Sequence, residues 1–304
     1  MESPSVPPDL WHECKARVGK TIDGKYKLVE LLGAGTTGAV YRARNEWVAR
    51  ECAVKVFHYE GQHKDSLLQR FIREAQACNR IKKDGRTHPH VVDALDVGRD
   101  RETERFFLVQ ELLQGRTLEA YLDQQPGRRM SVPDAVSVLG PVIDAIACAH
   151  EAGIVHRDLK PENVFLVDGP QGELPSAKVL DFGIAQLADA RMTRDSELMG
   201  TPEYMAPESF FGAKDVDARA DVWALAMILY EMVHGASAFY SATDNMFQVM
   251  QRISTSEPPS LVEKGLMRPA VWSVLRRALQ REAADRYATA RALQEALDEV
   301  LTTF

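Results

Sequence analysis

Two kinds of periodicity divide the chain. From Tyr26 to about Val109, apolar positions alternate or run in short blocks: Tyr26–Leu32, Ala39–Ala43, Glu51–Phe57, Val91–Val97 and Phe106–Val109. Each block predicts a strand. One helical stretch interrupts them, Ser66 to about Lys82. There Leu67, Phe71, Glu74, Cys78 and Ile81 are spaced four, three, four and three apart and form one stripe. After Gln114-Gly115 the period turns helical, over Thr117–Gln125, Val132–Ala152, Val216–Gly235, Asn245–Ile253, Ala270–Gln280 and Thr289–Leu301. Short β-like pieces at Val164–Val167 and Lys178–Leu180 interrupt it. A β-rich part followed by a larger helical part predicts an α+β architecture, with a cleft where two lobes join.

The 304 residues suit one large domain or two lobes. Hydrophobic residues at 45 % and charged residues at 27 % exclude wholesale disorder, collagen and a disulfide mini-scaffold. The longest unbroken apolar run, Val222–Tyr230, is nine residues, under half of what a membrane helix needs. A formal charge of −7 argues against a generally basic nucleic-acid binder. Cys14, Cys52, Cys78 and Cys148 lie far apart without a C-x-x-C pair, which suits reduced thiols in the cytoplasm. The opening residues carry Pro4, Pro7 and Pro8 and neither a basic nor an apolar signal region. Residues 1–20 are expected to form a flexible leader, with Trp11 resting on the body.

Gly33-Ala-Gly35-Thr-Thr-Gly38-Ala-Val40 fits G-x-G-x-x-G-x-V. Glycines let backbone approach phosphates and leave N–H groups to donate to them, although the same residues suit an ordinary hairpin turn. Strands on both sides argue against a dinucleotide-binding loop, which opens a helix. Lys55 sits in a strand apolar on both faces, so it is desolvated, paired or snorkelling. Glu74 stands mid-stripe where an apolar side chain is expected, and pairing with Lys55 would compensate its burial. Further on, His156-Arg-Asp-Leu-Lys-Pro-Glu-Asn163 is a polar loop between apolar pieces, and Lys178-Val-Leu180 ends in Asp181-Phe182-Gly183. These residue types can serve a phosphoryl transfer: Asp158 near a substrate hydroxyl, Asn163 and Asp181 as oxygen ligands for Mg2+. Each residue alone also has a purely structural reading.

In combination, these segments and Ala206-Pro207-Glu208 resemble the protein-kinase family, in the family's order, over roughly Tyr26 to Leu301. Ile22–Gly33 looks most like the bacterial Hanks-type, or eukaryotic-like, branch, and Lys160-Pro161-Glu162 is similar to the Ser/Thr pattern. The resemblance implies a bilobal kinase fold over 21–302. Its β-rich N-lobe, with one main helix, would span about 21–110, its hinge about 111–115 and its mainly helical C-lobe about 116–302. It implies a Ser/Thr protein kinase using ATP with Mg2+, or Mn2+ as the alternative metal. Catalytic roles would fall to Asp158, Lys160, Lys55 and Glu74. Gly33, Gly35 and Gly38 would cover the phosphates, and Lys55 would hold them. Leu32, Val40, Ala53 and Phe165 would sandwich adenine. Backbone groups of Glu111 and Leu113 would meet its edge beside Gln110 as gatekeeper. Asn163 and Asp181 would bind metal. Asp221 would anchor the catalytic loop, and Glu208 would pair with Arg286.

The same resemblance implies protein substrates and leaves the oligomeric state open, with a homodimer of the kind common in the bacterial branch as one option; net charge and the short apolar runs lead to the expectation of no nucleic acid and no membrane segment in this chain. Activation-segment phosphorylation is expected at Thr193 or Ser196, with Arg157 as the responding cation and Thr201 in the substrate-docking turn. A catalytically silent nucleotide-binding scaffold and a small-molecule kinase of the same fold are the alternatives. The intact Lys55, Asp158, Asn163 and Asp181 speak against the first, and Ala206-Pro207-Glu208 against the second.

Overall fold

The computed structural model describes residues 7–35, 38–58, 72, 75–76, 79–169, 173–182, 202–211, 216–240 and 244–302. Among these the chain divides into two compact units. Unit one takes the residues up to Arg80 and Val92–Gln114; unit two takes Ile81–Val91 and the residues from Gly115 onward.

Unit one is built on one antiparallel sheet. Its strands are β1 (Thr21–Ile22), β2 (Tyr26–Ala34), β3 (Gly38–Asn45), β4 (Arg50–Phe57), β7 (Ala94–Arg99) and β8 (Phe106–Gln110), in the order β1-β2-β3-β4-β8-β7. Alternation along β4 sends Cys52, Val54 and Val56 into a buried cluster with Tyr41, Leu28 and Val109. Phe57, on the other face, packs with Phe106 and Leu108. The same alternation puts Ala53 and Lys55 on the Phe57 side.

The leader expected to be flexible carries a helix within its described part. Helix α1 (Pro8–Lys15) starts with proline in its first turn and buries Cys14. The Tyr41 hydroxyl donates to the Cys14 carbonyl at 2.9 Å, and Leu10 and Trp11 pack on the sheet cluster. Burial pushes the Tyr41 phenol up to about 12. The cluster needs a cover on this face, and three apolar side chains of α1 supply it.

The helical expectation for 66–82 also needs a correction at its end. Lys82 lies not in a helix but in a hairpin of β5 (Lys82–Lys83) and β6 (Arg86–Thr87), turned by Asp84 and Gly85 at φ 51° and 78°. Ile72, Ala75, Gln76, Asn79 and Arg80 are helical. The hairpin belongs to unit two, so the first lobe is not continuous along the chain as expected. Its anchor is Asp144, which accepts from Lys83 Nζ at 2.6 Å, His88 Nε2 at 3.1 Å and Arg291 Nη1 at 2.8 Å. Burial opposes the Asp144 charge, but the lysine and arginine together hold its carboxyl below the usual range. His88, Asp144 and Cys148 lie close enough to surround a metal ion. Two cations and a histidine already use the carboxylate, so we read the cluster as a structural pin.

Unit two is helical around α4 (Ala218–His234), buried from Ala220 to Val233. Its run Val222–Tyr230 is apolar on every face and so needs cover on every side. The Asp217 side chain caps its start by accepting from Arg219 N–H, and Gly235 at φ 88° ends it. A Cβ at Gly235 would lie 2.3 Å from the Gly127 carbonyl, so both conformation and space require glycine there. The remaining helices are α2 (Leu118–Leu122), α3 (Val132–Glu151), α5 (Met246–Thr255), α6 (Pro269–Ala278) and α7 (Ala290–Thr302). α3 is long and apolar enough to cross a membrane by length and composition, but 61 % of that stretch is buried inside the protein. It packs against α4, α7 and a strand of the small sheet. That sheet, β11-β10-β9, pairs β10 (Val164–Val167) with β9 (Gly115–Thr117) and β11 (Ser176–Val179).

Candidate active site

In unit one, β2 and β3 pair through Gly33↔Val40 and leave Gly35 in the loop between them. Gly38 opens β3 opposite Phe57 of β4, where an added Cβ would lie 2.6 Å from the Val56 carbonyl. Around Gly33 and Gly35 nothing among the described residues lies within 4 Å of that position. The three glycines therefore differ: Gly38 is required by strand packing, whereas Gly33 and Gly35 keep the loop slender.

Lys55 pairs in register with Val40 on one side and Leu108 on the other. It is 8 % exposed, and its ammonium lies 5.6 Å from the Phe57 ring centre. Ala53 and Val40 flank it in the same ladders. Ala53 also pairs with Gln110, which is 9 % exposed at the end of β8. Past β8, Glu111 N–H donates to Asp93 O at 3.1 Å, while Glu111 Oε1 accepts from Asp93 N–H at 2.9 Å. Asp93 thus staples Glu111 in place, a role that no motif announces. Leu113 is half-buried, and Leu32 is exposed. Glu74 lies outside the described residues, so its pairing with Lys55 is not on view.

In unit two, the residues of the loop from His156 to Asn163 interlock. Asn163 Nδ2 donates to Asp158 O at 2.7 Å and to Asp158 Oδ2 at 2.9 Å. Lys160 Nζ stands 3.5 Å from the same carboxylate oxygen. His156 is fully buried; its Nε2–H donates to Leu180 O at 2.9 Å, and Asp158 N–H points at its Nδ1 at 3.3 Å. Leu180 N–H in turn donates to Asn163 O. The strand leading to Asp181 and the loop carrying Asp158 are thereby clamped together. Phe182 is buried 4.8 Å from the His156 ring, and Asp181 takes φ 52°, a left-handed conformation uncommon outside glycine. Phe165 is half-buried in β10, opposite Thr117 and Lys178.

Asp221, 1 % exposed, holds the loop from below. Its Oδ2 accepts from His156 N–H at 2.8 Å and from His150 Nε2–H at 2.9 Å, and its Oδ1 from Arg157 N–H at 2.8 Å. Arg157 is left-handed at φ 67°, the residue immediately before Asp158. Its guanidinium donates to Val216 O at 3.0 Å. Glu208 and Arg286 meet as the sequence suggests, through two bonds of 2.8 Å, with the Arg286 side chain fully buried and 4.9 Å from the Trp223 ring. Asp158, Lys160, Tyr204 and Ala206 line a narrow cavity of about 20 Å³, room for one water.

Sequence reasoning missed a second charged group. Arg128, left-handed at φ 57°, donates to Glu119 at 2.9 and 3.0 Å and to Glu231 at 3.0 Å. Tyr204 donates its hydroxyl to Glu231. Burial, then Glu231, Glu162 and Glu119, push the Glu203 carboxyl up to about 7. Glu231 alone had a signal, as a carboxylate inside an all-apolar helix. Thr193, Ser196 and Thr201 lie outside the described residues.

Asn163 and Asp181 offer hard oxygen donors, the set that Mg2+ and Mn2+ prefer. The match of a protein kinase domain model to residues 26–297 makes this chain a member of the protein-kinase family. It is 40 % identical over 280 residues to serine/threonine-protein kinase Pkn1 of Myxococcus xanthus, covering 91 % of this chain and 38 % of that protein. It is 34 % identical over 291 residues to pkn3 of the same organism, covering 93 % of this chain and 51 % of that protein. The chain thus spans about a third to a half of the curated relatives it matches. The PknI kinase domain of Mycobacterium tuberculosis superposes with a TM-score of 0.69 at 26 % identity, over 93 % of this chain and 98 % of that one.

Proposed function

We propose that this chain is a Ser/Thr protein kinase domain that transfers the γ-phosphoryl group of Mg-ATP to protein hydroxyls. The observation that carries the reading is the interlock of Asp158, Lys160 and Asn163. It aligns a carboxylate, an ammonium and an amide oxygen on one rigid loop. Lys55 holds the α- and β-phosphates under the glycine loop, oriented by Glu74. Leu32, Val40, Ala53 and Phe165 enclose adenine, and Glu111 and Leu113 meet its edge. Asn163 and Asp181 would hold the metal, which would supply neutralisation of the phosphate charge; Mn2+ is the alternative ion. The substrate oxygen attacks the γ-phosphorus, the bond to the bridging oxygen breaks, and ADP leaves. Asp158 accepts the hydroxyl proton, and Lys160 neutralises the transferring group.

Autophosphorylation at Thr193 or Ser196, peptide docking at Thr201 and a kinase homodimer complete the proposal. Free buried Cys14, Cys52 and Cys148 support a reducing, cytoplasmic setting. The test is incubation with γ-labelled ATP, Mg2+ and a protein acceptor, followed by site mapping. The parent is expected to label serine or threonine, including residues in 184–205, and Asp158→Asn to lose at least 100-fold in rate. Equal incorporation by both proteins would remove Asp158 from its role.

A further inference from the structure

The glycine loop is tethered from a side that no motif marks. β4 ends at Phe57, opposite Gly38. The next residue, His58, brings Nε2 to 3.1 Å from the Gly35 carbonyl oxygen. A carbonyl only accepts, so Nε2 carries the proton and donates. The Gly35 N–H donates to Gly38 O at 2.9 Å. Both backbone groups of Gly35 are therefore committed, one across the hairpin and one to the end of β4. Among the described residues, nothing lies within 4 Å of a side-chain position at Gly33 or Gly35 to support the loop by packing. Its conformation there depends on these hydrogen bonds.

His58 is itself well held. Its Nδ1 is buried with no hydrogen-bond partner among the described residues. Burial, then the positive charge of Arg17, pushes the ring's pKa down against the hydrogen bond to the Gly35 carbonyl, with Arg105 adding to the shift and Glu13 opposing it. Arg17 follows α1, where Glu13 binds both it, at 2.5 Å, and Arg105, at 3.0 Å. Leu10 and Trp11 of the same helix pack on the cluster that contains Ala34 and Ala39, one on each arm of the glycine hairpin.

We propose that His58 is a positioning residue for the nucleotide: by holding the Gly35 carbonyl to the end of β4, it sets the end of the β2 arm in place before the phosphates arrive. A loop set in advance binds without the cost of ordering. The inference rests on the reading of this loop as the cover of the ATP phosphates.

The experiment measures steady-state kinetics of the full chain with Mg-ATP varied, for the parent, His58→Phe and His58→Gln. Phenylalanine keeps the ring and loses the donor; glutamine places an amide N–H near the position of Nε2. KM for Mg-ATP should rise about fivefold in the Phe variant, the worth of one neutral hydrogen bond, with the effect on KM rather than kcat. Glutamine should bring KM back to within about twofold of the parent. A purely structural histidine would lower the melting temperature and leave KM alone. If the Phe variant does not fold, His58→Asn, too short to reach Gly35, should show the same rise. Parent-like KM in the variants lacking the donor, or failure of glutamine to restore it, would overturn the inference while leaving the kinase reading intact. An inactive parent would overturn both.

Discussion

Asp221 is the residue whose removal should reveal most about how the catalytic loop is held. Its carboxylate takes three hydrogen bonds of 2.8 to 2.9 Å, two of them from consecutive backbone N–H groups at His156 and Arg157. All three donors meet an ionised acceptor that is 1 % exposed. Asp221→Ala leaves them without a partner and removes what holds Arg157 at φ 67°. Breaking such a buried charged network costs about 3–5 kcal/mol. At about 2–4 °C per kcal/mol for a chain of this size, the melting temperature should fall by roughly 10 °C. Asp221→Asn is the sharper test. Its single oxygen can serve one backbone donor, and its NH2 then faces the other, so about 2–3 kcal/mol should still be lost. Because Arg157 directly precedes Asp158, kcat should fall on the order of 100-fold even below the melting transition. Calorimetry and γ-labelled ATP turnover check the two halves separately. An Asn variant within 1 kcal/mol of the parent and with parental kcat would show that Asp221 does not set the loop.

Gly38→Ala should destabilise by about 1–3 kcal/mol, because the new methyl meets the Val56 backbone at 2.6 Å, whereas Gly33→Ala should stay within about 1 kcal/mol; urea unfolding of both distinguishes packing from loop chemistry. Glu203 predicts a pH slope. Its folded carboxyl releases its proton near 7 and its unfolded one near the ordinary 4.5, so the folded protein holds the extra proton between those values. Stability from this group therefore falls as pH rises from about 4.5 to 7. Glu203→Gln should flatten the melting temperature against pH over that window, and an unchanged slope would remove Glu203 as its source.

Much of this architecture could be read from residue order. The strands of unit one follow from alternation, and α4 follows from an apolar run that only a fully covered helix can use. The pairing of Glu208 with Arg286 followed from the family resemblance. What escaped did so for physical reasons. In α1, prolines that suggest a leader instead start a helix, and its value lies in covering a sheet face distant in sequence. The β5–β6 hairpin is almost wholly polar and follows a helical stripe that runs on to Ile81. Its Asp84-Gly85 pair is the signal that could have found it. Asp144 and Glu231 each stood as a carboxylate in an apolar helix, but their partners Lys83, Arg291 and Arg128 come from other elements and leave no local pattern. His58 had no signal at all. Its role depends on a carbonyl 23 residues earlier, brought near by register.

The central claim of the proposed function is that Lys55, Asn163 and Asp181 all serve a metal-bound nucleotide. A crystal structure of the chain with Mg2+ and a non-hydrolysable ATP analogue tests it most directly. The account predicts Lys55 Nζ on the α- and β-phosphates and the metal bound by Asn163 and Asp181. A nucleotide seated elsewhere, or a metal held by neither residue, would contradict it.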